Sequence, residues 1–268
     1  MKLPPFERLL RNEDFADNTI ETYSYAVRDF LNRYKKPSRA SLSGYKAFLI
    51  KNYKPTTVNV RILSLNKYLD TIGLEKLKMK TIKMPKESFL DHIISHEDYL
   101  YFKRSLRKEK DLRWYFIVWF LATTGARISE LVQFKVEHVQ AGYIDIYSKG
   151  GRMRRLYFPE KLRKEALRWL EKEGRYSGFL FLNMQGGRLS PRGISLRLKE
   201  YASKYGLDAD QVHPHTFRHL FAKNFLQKNN DIALLADLLG HSSIETTRIY
   251  LQQSSREQGK MVDEIVDW

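Results

Sequence analysis

Apolar residues recur at helical spacing along most of this chain, and one short stretch alternates as a β-strand does. After Asn18 and Thr19, either of which could cap a helix, the periodic positions are Ile20, Tyr23, Val27, Phe30, Leu31 and Tyr34. This pattern predicts a helix that Pro37 ends. Tyr143 to Tyr147 alternates, Gly150-Gly151 suits a tight turn, and Arg154 to Phe158 returns. The sequence therefore predicts a mainly α fold with a small antiparallel β-sheet.

The length of 268 residues favours two domains, because each would be large enough to bury its own core. Helices at about Ser43 to Tyr53 and Thr56 to Ile72, with a short segment at Pro5 to Leu10, complete a helical domain over residues 1–75. Residues 76–90 are rich in lysine and contain Pro85, which predicts a basic interdomain linker. Residues 91–268 form the second predicted domain, with a C-terminal tail at 251–268.

The second domain contains a strongly apolar helix from Asp111 to Thr123, which stops at Thr124-Gly125. A further helix is expected to begin at Ala126-Arg127. Helices are expected to dominate from Pro159 onward.

The charge balance points to an anionic partner. The chain has 47 Lys+Arg against 31 Asp+Glu, a net charge of +16. A field of this sign attracts polyanions, of which nucleic acid is the commonest for a basic globular protein. Composition by itself leaves DNA, RNA and an anionic membrane surface open.

Several chemical classes are not supported by the sequence. Cysteine is absent, which excludes disulfides, Cys-ligated zinc and thiol nucleophiles. No Gly-rich GK[ST] loop occurs, so a reaction driven by ATP is unsupported. No H-E-x-x-H pair for zinc occurs either. No apolar stretch near the start of the sequence is long enough for a signal peptide. No apolar stretch elsewhere reaches the roughly 20 residues that span a membrane. We expect a cytoplasmic protein without a membrane segment and without a cofactor or metal.

Two cationic side chains stand out in the middle of the chain. Arg127 follows Gly125 at a predicted helix start, where backbone N–H groups already favour an anion and a guanidinium can grip two phosphate oxygens. Lys149 lies at the hairpin tip Lys149-Gly150-Gly151-Arg152, from which it could follow a nucleic acid groove or protonate a leaving alkoxide. Either residue could instead be an ordinary surface cation.

The segment His213 to His219 contains three histidines and one arginine. His215 and Arg218 are three positions apart and share a helix face, so both could meet the same phosphate. A metal site at His215 and His219 is the alternative, which the lack of an accompanying carboxylate and the charge of Arg218 disfavour.

The segment Leu239 to Tyr250 contains a candidate nucleophile. Ser242 and Glu245 have the spacing of a capping box, which predicts a helix that starts just after His241 and carries Tyr250. Considered by itself, Tyr250 would be read as a packing residue. Its interest comes from the cationic segments that precede it.

These segments, in this order, resemble the tyrosine recombinase (phage integrase) superfamily, and most closely its Xer-type chromosome dimer-resolving members. The matching runs are Thr124 to Leu131, Lys149-Gly150, His213 to His219, and Leu239 to Ser243 leading to Tyr250. Asn18 to Tyr23 and the helices up to Ile72 look like the core-binding domain of that superfamily. Ser148 and Phe217 depart from it, since Gly and Leu are usual there.

The resemblance implies a role for each matching residue. Arg127 and Arg218 would clamp the scissile phosphate, and His215 and His241 would hydrogen-bond it. Lys149 would protonate the departing 5′ oxygen. Arg152 and Arg154, which lie close by in the sequence, are alternative candidates for this role. Tyr250 would attack phosphorus and form a 3′-phosphotyrosyl bond. Glu130, one turn after Arg127, is expected to be a buried partner that orients an arginine.

The resemblance also implies a C-shaped clamp around double-stranded DNA at a specific site. The apolar residues Val262, Ile265, Val266 and Trp268 suggest that the tail docks on a neighbour, giving a homotetramer on two sites. Three alternatives stay open: a mobile-element integrase or topoisomerase-like enzyme of the same chemistry, a non-catalytic DNA-binding protein, and a metal hydrolase using His215, His219 and His241.

Overall fold

The computed structural model describes residues 3–84, 93–147, 153–241 and 243–251, together with residues 263 and 266. The chain divides into two compact units, Met1–Lys86 and Glu87–Trp268. The described residues are mainly helical, with one two-stranded antiparallel sheet. This is the predicted fold class.

The first unit is helical. Its elements are α1 (Pro4–Asn12), α2 (Asp17–Tyr34), α3 (Arg39–Asn52), α4 (Pro55–Thr71) and a 3-10 turn (Glu75–Leu77). Its core contains leucine, isoleucine, valine and aromatic side chains contributed by all four helices.

Two helix starts in the first unit differ from the sequence prediction. Helix α2 begins at Asp17 without a side-chain cap, so neither Asn18 nor Thr19 caps it. Helix α3 begins earlier than Ser43 because the Ser38 hydroxyl accepts a hydrogen bond from the Ser41 backbone N–H (3.1 Å) and the Ser41 hydroxyl accepts one from the Ser38 N–H (2.8 Å). These reciprocal bonds satisfy backbone donors that a helix start leaves without partners.

The described part of the basic segment lies along α4. The Asn66 amide bonds both backbone groups of Met79 (2.8 and 2.9 Å), and the Asn59 amide bonds both backbone groups of Ile82 (3.0 and 2.8 Å). Met79 and Ile82 pack against the core of the unit. The lysines at 76, 78, 80 and 83 are exposed, so this segment presents positive charge on a fixed backbone.

The second unit contains nine helices and both strands within its described residues. The helices are α5 (His96–Lys108), α6 (Leu112–Thr124), α7 (Ile128–Leu131), α8 (Val136–Ala141), α9 (Glu160–Lys172), α10 (Pro191–Lys204), α11 (Pro214–Lys228), α12 (Ile232–Leu239) and α13 (Glu245–Arg248). A 3-10 turn (Ile249–Leu251) follows α13. The strands β1 (Tyr143–Tyr147) and β2 (Met153–Tyr157) lie between α8 and α9.

Helix α6 is the centre of the second unit. It is apolar on every face and almost entirely buried, which is the pattern of a helix surrounded by others, and it packs against α5 and α11. It ends at Gly125, which has a left-handed φ of 62°. A Cβ at Gly125 would come within 2.6 Å of the Phe221 ring, so glycine is required there by conformation and by space.

The two strands pair in one register. Tyr143 lies opposite Tyr157 and Tyr147 opposite Met153, while Ile144, Ile146 and Leu156 face the core. The returning strand therefore begins and ends one residue earlier than predicted. The predicted turn at Gly150-Gly151 lies outside the described residues. None of the described helices is long and apolar enough to cross a membrane.

Candidate active site

Arg218 occupies the centre of the site. It lies in the second turn of α11 and is only 4% exposed. Its Nη1 donates to the Gly125 carbonyl at the end of α6 (2.6 Å), and its Nη2 donates to the Leu239 carbonyl at the end of α12 (2.6 Å). Burial lowers the pKa of Arg218 to about 10, and the charges of Arg127 and Arg154 act in the same direction. The guanidinium therefore remains charged at neutral pH.

Arg127 is held at the site by Glu130. It precedes α7 as its N-cap, so the predicted helix starts at Ile128 rather than at Ala126. Glu130 accepts from the Arg127 backbone N–H through Oε2 (2.7 Å) and from Arg127 Nη1 through Oε1 (3.0 Å). The Glu130 side chain is 8% exposed and that of Arg127 is 39% exposed. The prediction that Glu130 is a buried partner of an arginine is confirmed, and Arg127 keeps a face that a ligand can reach.

Glu130 also binds a second arginine. Arg154, on β2, donates from Nη2 to Glu130 Oε2 (2.6 Å) and from Nη1 to the Leu238 carbonyl (3.0 Å). A Cβ at Gly240 would lie 2.4 Å from the Arg154 Nε, and Gly240 has a left-handed φ of 65°. Arg154 is thus enclosed by α7, the end of α12 and Gly240, which makes it a structural cation.

His241 follows Gly240 and contacts Arg218. Its Nε2 lies 3.1 Å from Arg218 Nη2, and its Nδ1 lies 2.7 Å from the Thr247 hydroxyl. Because a guanidinium can only donate, Nε2 is assigned as the acceptor and Nδ1 as the protonated nitrogen. Burial, followed by the charge of Arg218, lowers the pKa of His241 to about 4.

Tyr250 lies in the same site as Arg218 and His241. Its ring is 7% exposed and packs with Leu226, Leu235 and Leu239, and it stacks on the His241 ring with centroids 6.3 Å apart. The helix that precedes it differs from the prediction: α13 begins at Glu245, whose N–H donates to the Ser243 hydroxyl (3.2 Å). Ser242, the predicted cap, lies outside the described residues. Tyr250 itself lies in the 3-10 turn.

Burial and charge act in opposite directions on the Tyr250 phenol. Burial raises its pKa, and the positive charges of Arg218 and Arg127 lower it. The net direction is upward. The surrounding cations therefore act to make this phenol more acidic, but burial outweighs them in the described structure.

The other sequence candidates have different outcomes. His215 lies in the first turn of α11 and keeps a solvent-exposed surface. The protein around its ring nevertheless removes part of its solvation, and this desolvation, followed by the charges of Arg218 and Arg127, lowers its pKa. It therefore lies within the electrostatic reach of both arginines. Lys149 lies outside the described residues, as does nearly all of the tail 251–268. The structure thus brings together Arg127, His215, Arg218, His241 and Tyr250.

His219 is a site residue that the sequence suggested only as a metal ligand. Its Nδ1 lies 3.1 Å from the Tyr250 phenolic oxygen, and the two ring centroids are 5.3 Å apart. Its position beside Arg218 in sequence was the available signal, but the contact joins residues 31 positions apart. Among the described residues, no group of three or more His, Asp or Glu side chains could hold a metal ion.

Removal of the Glu130 carboxylate should destabilise the second unit. In Glu130→Ala the nearly buried Arg154 guanidinium loses its counter-ion, which should cost about 3 kcal/mol of unfolding free energy. Urea unfolding monitored by tryptophan fluorescence would measure this. Glu245→Ala is the control, because it breaks an exposed pair with Arg248 (69% and 64% exposed) and should cost less than about 1 kcal/mol. Equal effects of the two substitutions would contradict the assignment.

Acid should destabilise the second unit through its site histidines. The folded pKa of His219 and of His241 is lowered to about 4, whereas an unfolded histidine titrates near 6.5. The unfolded state therefore binds more protons as the pH falls below about 6.5, so the stability present above that pH is progressively lost down to about pH 4. We expect the melting temperature to fall between pH 6.5 and 5, and to fall less in His219→Asn. His96→Asn, which replaces an exposed histidine outside the site, should keep the wild-type slope.

Comparison with solved structures identifies the fold. The crystal structure of XerA recombinase is similar with a TM-score of 0.56 and 24% identity, covering 97% of this chain and 96% of that one. The post-cleavage complex of the XerH site-specific recombinase with a palindromic difH substrate has a TM-score of 0.70 and 20% identity, covering 91% and 80%. A lambda integrase dimer bound to a core site has a TM-score of 0.74 and 15% identity, covering 96% and 97%.

Sequence comparison gives the family. Tyrosine recombinase XerA of Pyrococcus furiosus is 30% identical over 97% of this chain and 92% of its own length. Tyrosine recombinase XerD of Vibrio cholerae is 27% identical over 88% and 85%. Residues 92–257, which include the whole described site, match the phage integrase family. The chain therefore belongs to the phage integrase family and is a tyrosine-type site-specific DNA recombinase.

Proposed function

We propose that this recombinase cleaves one DNA strand at a time with Tyr250, forming a 3′-phosphotyrosyl bond, and then rejoins the strand to a new partner. The observation that carries the proposal is the meeting of the Tyr250 phenol, the Arg218 guanidinium and the His241 imidazole within a single chain. A nucleophile and fixed positive charge at one place are what attack on a phosphodiester requires.

Arg127 and Arg218 would stabilise the phosphate during attack. A phosphodiester transition state gathers negative charge on its non-bridging oxygens, and preorganised guanidiniums can meet that charge in the way that divalent ions do in other enzymes. Arg218 is fixed by two carbonyls and Arg127 by one carboxylate. The pair therefore needs little rearrangement when the phosphate arrives.

His215 and His241 would hydrogen-bond the same phosphate. In the described state, His241 Nε2 accepts from Arg218 and therefore faces the cation. An incoming phosphate oxygen would compete for that Arg218 donor and release His241. A change in the ring's proton position would then let Nε2 donate to the phosphate.

Lys149 would protonate the departing 5′ oxygen. The neighbouring cation Arg154 is a poor substitute, because Glu130 and the Leu238 carbonyl already occupy it. The phosphotyrosyl ester retains the energy of the broken phosphodiester, so a 5′ hydroxyl can reverse the step without ATP.

The DNA partner is proposed to be a specific duplex recombination site. Solved relatives are described as bound to difH substrate or to a core site, and this chain carries a net charge of +16. We propose that residues 1–75 form a core-binding domain and residues 91–268 the catalytic domain, joined by the linker 76–90 and closing as a clamp around duplex DNA. Phosphate contacts would make affinity fall steeply with salt.

We also propose an assembly and a cellular role from the resemblance to Xer-type recombinases. We propose a homotetramer on two sites, linked by exchange of the tail 251–268, that acts in the cytoplasm in chromosome dimer resolution. Mobile-element integration or excision by the same chemistry is the competing role. Fragments of the organism's own genome that become covalently attached to Tyr250 would identify the target and separate these roles.

A nicked suicide duplex of the captured target tests the chemistry. Cleavage releases a short fragment that cannot be religated, so a covalent protein–DNA adduct accumulates and is resolved on a denaturing gel. We expect the adduct with the wild type, also in the presence of EDTA, and none with Tyr250→Phe. Tight binding by the wild type without any adduct would instead support a DNA-binding protein that has lost catalysis.

Arg127→Ala should slow cleavage without unfolding the protein. The Arg127 side chain is partly exposed, and its described side-chain hydrogen bond is to Glu130, so its loss should leave the fold intact. The positive charge that it would supply to the phosphate is worth on the order of a hundredfold in cleavage rate. Single-turnover cleavage of the suicide duplex measures this rate. Arg197→Ala, which removes a half-exposed arginine paired with Glu200 on α10, is the matched control and should cleave at the wild-type rate. A similar rate in both variants would contradict the role of Arg127.

A further inference from the structure

The Tyr250 phenol is hydrogen-bonded to His219, a residue to which the proposed mechanism gives no role. His219 lies one residue after Arg218 on α11, and its Nδ1 is 3.1 Å from the Tyr250 phenolic oxygen. The two rings also pack against each other at 5.3 Å. An imidazole nitrogen at this distance from a phenol is within reach of its proton.

The His219 imidazole is neutral in the described state. Burial lowers its pKa to about 4, and the charges of His215, His213 and Arg218 act in the same direction. A neutral imidazole has one accepting nitrogen. We assign Nδ1 as that nitrogen, so the phenol donates its proton toward Nδ1.

Two other bases of the site, His241 and Glu130, are engaged with other partners. His241 stacks on the phenol, but its Nε2 contacts Arg218 and its Nδ1 contacts Thr247. The Glu130 carboxylate is held by two arginines. Of the described side chains, His219 is the one whose hydrogen bond to the phenol places an accepting nitrogen on the attacking oxygen.

We propose that His219 is a catalytic residue, which accepts the phenolic proton of Tyr250 as its oxygen attacks the scissile phosphorus. This inference rests on the proposed function. The bond from the phenolic oxygen to phosphorus forms, the bond from phosphorus to the 5′ oxygen breaks, and the phenolic proton moves to Nδ1. The 5′ oxygen leaves with a proton from the group proposed at Lys149. In rejoining, the His219 imidazolium returns its proton to the departing phenolate.

Binding of DNA would make the His219 imidazole a stronger base. The titratable or charged groups that face it are His213, which precedes α11, His215 and Arg218 on α11, and Tyr250 and His241 from the chain after α12. A phosphodiester bound by Arg218 adds negative charge to this otherwise cationic group. Negative charge favours the imidazolium and disfavours the phenolate. The His219 imidazole therefore becomes a stronger base when the substrate is bound. The Tyr250 phenol then loses its proton less readily by itself and depends more on His219 to accept it.

Substitution of His219 separates proton transfer from simple positioning. His219→Asn keeps an oxygen acceptor near the Nδ1 position but cannot take up a proton at neutral pH. We expect its single-turnover cleavage of the suicide duplex to be slower by on the order of a hundredfold, with unchanged DNA affinity in a gel-shift titration. His96→Asn, on α5 and outside the site, is the matched control and should cleave at the wild-type rate.

A more acidic nucleophile should remove the need for the base. Incorporation of 3,5-difluorotyrosine at position 250 lowers the phenol pKa, so His219→Asn should recover at least about tenfold in rate while the His219 protein changes little. The inference is overturned if His219→Asn cleaves as fast as the wild type. It is equally overturned if fluorination changes both rates by the same factor, because His219 would then only position the ring.

The pH profile of the unsubstituted protein gives a test that does not depend on how His219→Asn folds. With His219 as the base, the cleavage rate should fall at low pH with an inflection that fluorination of Tyr250 leaves in place. An inflection that moves with the phenol pKa would assign the titration to Tyr250 and overturn the inference. If the wild type forms no adduct, or forms one that Tyr250→Phe retains, the proposed function fails instead, and the two failures are distinguishable.

Discussion

The buried guanidinium of Arg218 determines how the catalytic half of this molecule is assembled. The last carbonyls of a helix have no partner inside that helix and carry partial negative charge. Arg218 satisfies one such carbonyl at the end of α6 and another at the end of α12. Each of these helices is followed by a left-handed glycine, Gly125 or Gly240. The chain therefore turns at both points so that Arg127 and His241 come next to the same cation.

This arrangement concentrates positive charge, and one buried carboxylate makes it tolerable. Arg127, Arg154 and Arg218 lie close enough for the first two to lower the pKa of the third. Glu130 binds Arg127 and Arg154 at once. It thereby offsets their mutual repulsion and sets their separation. Arg154 becomes part of the framework, and Arg127 is left with an accessible face for a phosphate.

Burial keeps the Tyr250 phenol protonated in the resting state despite this charge. Its pKa is raised because the ring is enclosed by leucines and two histidines, and the arginines offset only part of that effect. A protonated, enclosed phenol is a weak nucleophile. In the proposed mechanism, activity depends on the substrate, because a bound phosphodiester would change the hydrogen bonds of Arg218 and the charge around His219. The same contacts that pack the site would thus link DNA binding to the chemical step.

Local sequence patterns determined most of the secondary structure, and ordered motifs indicated most of the candidate site residues. Helical periodicity, the alternation at Tyr143 to Tyr147 and the apolar run of α6 predicted the helices and strands. The ordered motifs, through their resemblance to tyrosine recombinases, pointed to Arg127, His215, Arg218, His241 and Tyr250 as candidate site residues. Helix starts were less predictable, because reciprocal caps such as Ser38 with Ser41 depend on backbone geometry. Tertiary structure alone decided that His219 meets Tyr250, that Glu130 serves two arginines, and that burial outweighs charge at the phenol. These depend on contacts between distant segments and on exclusion of water, neither of which residue spacing records.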